Sequence, residues 1–244
     1  MIEVEGLTVR FGGVLSINQM SATFPGGTCG LIGPNGAGKT TFLNVLSGFV
    51  RPAAGRVTAF GADMLTMSDY QRARWGVRRT FQTEQAIEAL TVYDNVLTVH
   101  EHTVKHERTG KMRAERRSAV LEAIAFVGLG PVAFSKVGAL SPRQRRLVEV
   151  ARAVVGGPRA VLLDEPGAGL PEAETEHLGA VISAIHKQVG AMVVLVEHDM
   201  SLVRACCEWT AVLDFGRLLS SGPTAEVLRD PEVLKAYLGQ EELQ

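Results

Sequence analysis

The sequence predicts an α/β fold: a mainly parallel sheet covered on both faces, with an antiparallel β portion near the start and a helical subdomain inserted at about 83–155. Three features predict it. Short apolar runs at 28–32, 160–163 and 191–196 have the length and composition of strands buried on both faces. Segments of helical periodicity separate them, which is the βα alternation of a parallel sheet. Between about 83 and 155 strand signals vanish, while charge and helical periodicity rise. The whole of 1–244 reads as one domain, within the usual size range.

Along the chain, 2–10 alternates loosely and predicts a strand. The run 28–32 enters a glycine loop at Gly33, and 40–46 predicts a helix ended by Gly48. Extended segments follow at 55–61 and 76–81. The very polar stretch 100–117 reads as a solvated helix-loop-helix tip. After the strand at 160–163, Leu178, Val181, Ile182, Ile185 and Val189 share one helical face. The strand at 191–196 follows, then a helix carrying Cys206 and Cys207, then a hairpin of 211–215 and 217–220 around Gly216. Asp230-Pro231 supplies an N-cap and a first-turn proline for a last helix.

Composition narrows the function. Lys+Arg 25 against Asp+Glu 26 leaves a formal charge of -1, so the broad positive field of a nucleic-acid binder is missing. Hydrophobic residues make up 46%, enough for a sizeable core and too many for intrinsic disorder. Cys29, Cys206 and Cys207 do not make a disulfide framework, and a reducing compartment is expected. The acidic, alternating opening MIEVEGLTVRFGG is not the pattern of a secretory leader, and no apolar run has the length to span a bilayer. A soluble protein is expected, free to dock on a membrane protein. His100, His102 and His106, with Glu101 and Glu107, read as part of the polar tip rather than a metal site. Arg113, Arg116 and Arg117 read likewise as a solvated face.

Gly33-Pro34-Asn35-Gly36-Ala37-Gly38-Lys39-Thr40 fits the phosphate-loop pattern G-x-x-x-x-G-K-[ST] in full. Glycines let the backbone curl so that its N–H groups face phosphate oxygens. Lys39 neutralises the β and γ phosphates, the Thr40 hydroxyl can ligate Mg²⁺, and the following helix turns its positive end to the same anion. The run 161–163 then delivers Asp164 and Glu165. Asp164 is placed to hold the magnesium shell, and Glu165 to orient and deprotonate an attacking water.

With these motifs and their order, the chain resembles the ATP-binding cassette of an ABC transporter, a P-loop NTPase, over essentially its whole length. Further residues carry the resemblance. Phe11 stands where such cassettes stack an aromatic ring on adenine. Gln82, in Arg79-Thr80-Phe81-Gln82, matches the glutamine linking the metal site to the helical subdomain. Leu140-Ser141-Pro142-Arg143-Gln144 occupies the place of the signature, Gly167-Ala168-Gly169-Leu170 that of a subunit-crossing loop, and His198 that of the γ-phosphate switch histidine. Taken singly, Phe11 is more often a core residue, Gln82 a surface polar residue and His198 more often a structural histidine. Their joint order decides. Arg79-Thr80-Phe81-Gln82, Glu197-His198-Asp199-Met200 and the ending Asp230-Pro231…Ala236-Tyr237-Leu238-Gly239 look most like the high-affinity branched-chain amino-acid import cassettes. Related urea, amide and lipopolysaccharide-export cassettes share some of these marks.

The resemblance implies a set of roles. Phe11 stacks adenine. Asn35, Gly36, Ala37, Gly38, Lys39, Thr40 and Thr41 bind the phosphates of ATP. Thr40, Gln82 and Asp164 hold Mg²⁺. Glu165, His198 and Gln82 are catalytic, and Ser141 and Gln144 meet the nucleotide of a second cassette. It implies permease subunits, docking near 83–90, a substrate-binding protein in the full system, no nucleic acid, and a cytoplasmic chain peripheral to the inner face of the plasma membrane. Two segments depart from the family pattern. Arg143 replaces the glycine before the signature glutamine, with Pro142 removing one N–H, and Pro171 stands where a polar residue is usual in the crossing loop. They point to pairing with a different cassette, against the rival of an ordinary homodimer. A soluble non-transport ATPase and a poorly hydrolysing regulatory cassette are the alternatives.

Overall fold

The computed structural model describes residues 1–104 and 110–241, without the side chains of 110–112 and 238–241. His106 and Glu107 lie outside the described residues. Two sheets organise the chain. The first is antiparallel, with order β2-β1-β4-β5, built from β1 (Ile2–Phe11), β2 (Val14–Phe24), β4 (Ala54–Ala59) and β5 (Ala62–Asp63). The second has six strands in the order β10-β9-β3-β8-β7-β6: β3 (Thr28–Ile32), β6 (Val77–Arg79), β7 (Ala160–Asp164), β8 (Met192–Val196), β9 (Trp209–Asp214) and β10 (Arg217–Pro223). It is parallel from β9 to β6, and β10 closes one edge as an antiparallel hairpin. This is the expected α/β class with its antiparallel portion at the start.

The central strands are apolar throughout because both faces are buried. Successive side chains of a strand point to opposite faces. On β8, Val193 and Leu195 join one core while Met192, Val194 and Val196 join the other. On β7, Val161 and Leu163 face the first core and Leu162 the second. The second core also takes α1 (Lys39–Ser47), through Phe42, Leu43, Val45 and Leu46, and the antiparallel sheet, through Ile2, Leu7, Ile17 and Phe24.

Between β6 and β7 the described residues hold helices and no strand: α3 (Val92–Thr103), α4 (Gly110–Phe126) and α5 (Pro142–Val154). The α5 apolar face of Leu147, Val150, Ala151 and Val154 is buried against the first core. The tip is solvated only in part: Arg113 and Arg117 are exposed and Arg116 pairs with Glu101 at 2.6 Å, but His100 is buried on α3, contrary to the expected solvated tip. Among the described residues no group of three or more His, Cys, Asp or Glu side chains could hold a metal ion. After β7 come α6 (Glu172–Ala184), whose face continues through a π turn at Ile185–Val189, then α7 (Met200–Cys206), the short α8 (Thr224–Val227) and α9 (Pro231–Glu241). Asp230 Oδ1 accepts from the Glu232 N–H, 2.9 Å, as its N-cap pattern requires.

Four elements have no counterpart in the expectations above: β2, α2 (Asp69–Trp75) and the short β5 and α8. The pairing of β2 with β1 is broken by register shifts, and Gln19 has φ 51, so strict alternation is lost. The α2 helix is short and held by its ends, with a capping box at Ser68 and Gln71 and a left-handed Gly76. The last helical residue of α7 is Cys206, and Cys207 caps it.

Candidate functional site

The site is assembled at the carboxyl ends of the parallel strands, where ligands of open α/β sheets bind. β3 feeds the phosphate loop, and two glycines there are sterically required. At Gly33 (φ 147) an added Cβ would come 2.0 Å from the Leu213 carbonyl oxygen. At Gly38 (φ 104) it would come 2.6 Å from the Ser16 carbonyl oxygen. α1 starts from Gly38 with no side-chain cap, so its first N–H groups stay open to an anion. Lys39 is buried, and its Nζ donates to the carbonyls of Gly33 (2.6 Å) and Pro34 (2.9 Å). Burial lowers its pKa, and the fields of Glu165 and Asp164 oppose that shift.

A cavity of about 240 Å³ is lined by Asn35, Gly36, Gly38, Lys39, Thr40, Thr41, Gln82 and Glu165, together with Ser16. Eight predicted residues thus meet in one place. Ala37 is buried within the loop turn, its N–H 3.2 Å from the Pro34 carbonyl oxygen. Ser16 was not foreseen. β2 brings it against α1, where its Oγ lies 2.8 Å from Thr41 Oγ1, and no local pattern marks it.

β7 delivers the two carboxylates to different surroundings. Asp164 is 1% exposed. Its Oδ2 lies 2.8 Å from Arg79 Nη2, and its Oδ1 is buried without a hydrogen-bond partner. Glu165, next in the chain, lines the cavity and takes a left-handed backbone conformation, φ 49. A non-glycine residue there is uncommon and marks a constrained position. Its Oε1 lies 2.6 Å from His198 Nε2, joining the ends of β7 and β8.

Glu197 is a further element of the site. It is 3% exposed. Oε1 accepts from the Gly167 N–H (2.7 Å) and Oε2 from the His198 N–H (3.2 Å). It therefore fastens the loop after Glu165 to the strand end that carries His198. Burial raises its pKa, against the pull of those two N–H groups. Its only sequence signal was its place beside His198.

Gln82 is tied to α5. Arg146 Nη1 donates to the Gln82 carbonyl (3.1 Å), and Glu149 Oε1 accepts from the Gln85 N–H (2.9 Å). Ser141 and Gln144 form a capping box at the start of α5. They do not line the cavity, nor does Phe11, which stands half exposed at the end of β1. Pro142 occupies the first turn of α5, and Arg143 is half-buried with its Nε unpartnered. Pro171 precedes α6 with no side-chain cap. A larger cavity, about 710 Å³, lies between α6 and α7 and contains none of the predicted site residues.

The arrangement is that of a nucleotide-binding site. Comparison with known proteins agrees. A family model described as ABC transporter matches residues 17–168, and one described as branched-chain amino acid ATP-binding cassette transporter matches 217–242. The high-affinity branched-chain amino acid transport ATP-binding protein BraF of Pseudomonas aeruginosa is 37% identical, with 98% of each chain covered. The corresponding protein LivG of Escherichia coli is 33% identical, with 98% of each covered. Among solved structures, the ADP conformation of MJ1267, an ATP-binding cassette of an ABC transporter, superposes with a TM-score of 0.86 at 26% identity over 98% of both chains. The chain therefore belongs to the ABC transporter family, as one of its ATP-hydrolysing, nucleotide-binding subunits.

Proposed function

We propose that the chain energises the import of branched-chain amino acids, or of related small polar solutes. It does so by closing as a dimer on two Mg·ATP and driving integral membrane permease subunits. The observation that carries the ATPase part is the cavity joining Lys39, Thr40, Gln82 and Glu165, with His198 2.6 Å from Glu165. The substrate class rests on the names of the similar proteins, BraF and LivG, and on the match at 217–242.

Phe11 stacks adenine. The loop N–H groups of Asn35 to Thr41 and the open start of α1 hold the phosphates. Lys39 exchanges its two neutral carbonyl acceptors for phosphate oxygens, and charge-assisted bonds are roughly twice as strong as neutral ones. Thr40, Gln82 and Asp164 fit a magnesium ion: a hydroxyl, an amide and a buried carboxylate oxygen that has no protein partner. Bound there, Mg²⁺ neutralises charge developing on the transferred phosphoryl group. Glu165 accepts the proton of the attacking water, and His198 holds that carboxylate and senses the γ-phosphate. Ser141 and Gln144 meet the nucleotide of the opposite subunit. Gln82, clamped by Arg146, passes the closure to α5 and the surface at 83–90.

No helix among the described residues is long and apolar enough to cross a membrane. The chain would sit at the cytoplasmic face of the plasma membrane, on its permeases, served by a substrate-binding protein outside. A second reading is a heterodimer in which this signature serves the weaker site, since Pro142 has no N–H and Arg143 is only half-buried. The test is co-expression with candidate permease subunits, then reconstitution into vesicles with ATP inside. ATP-dependent uptake of labelled leucine, isoleucine or valine is expected. Failure to co-purify with permeases, or uptake of urea or amides alone, would overturn the substrate assignment.

A further inference from the structure

Arg79 ends β6 three residues before Gln82, and its side chain is 6% exposed. A buried guanidinium is retained only where several groups satisfy it. Here two elements bond its Nη atoms and two aromatic rings flank it, while Nε is buried without a partner. Nη2 donates to Asp164 Oδ2 at the end of β7, 2.8 Å. Nη1 donates to Asn44 Oδ1, 2.6 Å, and approaches Ser47 Oγ, 3.4 Å, both on α1. The guanidinium carbon also lies 5.0 Å from the ring centre of Phe81 and 6.0 Å from that of Phe49, and those rings stack at 5.9 Å. Phe81 is the residue immediately before Gln82.

We infer that Arg79 is a positioning residue for the magnesium site: it fixes the Asp164 carboxylate by one oxygen, leaves the other for the metal shell, and ties that carboxylate to the strand leading to Gln82. This rests on the proposed role of Asp164 and extends it. Asp164 Oδ1 has no protein partner, and at 1% exposure it has little access to water. Without Arg79 that carboxylate loses the guanidinium donor that fixes Oδ2, and with it the orientation that turns Oδ1 toward the metal shell. The planar fork matters as well as the charge. The two Nη atoms reach Asp164 and Asn44 from separate positions of one rigid plane, which a single flexible ammonium does not reproduce.

The test is the Mg²⁺ concentration that gives half of the metal-dependent gain in affinity for a fluorescent ADP analogue, measured on the purified full chain without turnover. Outer-shell partners typically contribute about 10–100-fold in metal affinity. Arg79→Met is expected to raise that concentration by about tenfold or more, while affinity in EDTA stays within about twofold. Arg79→Lys is expected to give a smaller rise of about threefold, and it decides the matter if Arg79→Met does not fold. A residue with only a structural role would lower the melting temperature and leave the Mg²⁺ requirement unchanged. An unchanged Mg²⁺ requirement in the folded variants overturns the inference, provided that Asp164→Asn loses the metal effect. If Asp164→Asn keeps it, the placing of the metal at Asp164 is what fails.

Discussion

Lys39 shows how much of a site one side chain can organise before any ligand is considered. Its ammonium is buried on two carbonyls of its own loop, with Asp164 and Glu165 close enough to favour its charge. The motif made Lys39 legible in the sequence. The partners of Arg79 were not, because Asp164 lies 85 residues away and only the pairing of β6 with β7 brings the two together. Glu197 was equally hidden, since its work is to hold the N–H of Gly167, 30 residues earlier. The cysteines give a check on burial. Burial pushes Cys29 up to about 11 and raises Cys206 and Cys207 as well. A thiol raised that far has about 100-fold less thiolate near neutral pH than an ordinary one. Native protein at mildly alkaline pH should therefore react very slowly with an aromatic disulfide reagent, and all three thiols should react in denaturant. Rapid native labelling would show that these thiols are open to water.

Elements were readable where burial is symmetric. The runs at 28–32 and 160–163 stand out because both faces of β3 and β7 are covered, which leaves no polar alternation to blur them. β2 has an exposed face and an irregular register, and α2 depends on its caps rather than on an apolar stripe, so neither has a strong local period. At α5 the local logic held in detail. Ser141 Oγ accepts from the Gln144 N–H, Gln144 Oε1 accepts from the Ser141 N–H, and Pro142 takes the first turn. Replacing Ser141 with alanine should cost about 1 kcal/mol, as typical N-caps do. Urea denaturation monitored by circular dichroism would read this as a lower midpoint at unchanged slope. An unchanged midpoint would mean that the cap contributes nothing to stability.

For the molecule as a whole, the phosphate loop, Gln82, Glu165 and His198 come from four separate strand ends and converge because one parallel sheet aligns those ends. That convergence followed from the order of the motifs. The places of Ser141 and Gln144 outside the cavity fit their proposed role at the nucleotide of a second cassette, whereas Phe11 stands apart at the end of β1. Nothing in one chain's hydrophobic pattern encodes the second copy. Arg143 bears on which copy it is. The most direct test is steady-state Mg·ATP hydrolysis by the purified chain, with Glu165→Gln as its control. Turnover that disappears in Glu165→Gln while ATP binding persists is the expected result, and it would show that two copies form a working site despite Arg143. Equal turnover in both proteins, or no binding of ATP at all, would remove Glu165 or the phosphate loop from the role assigned to it.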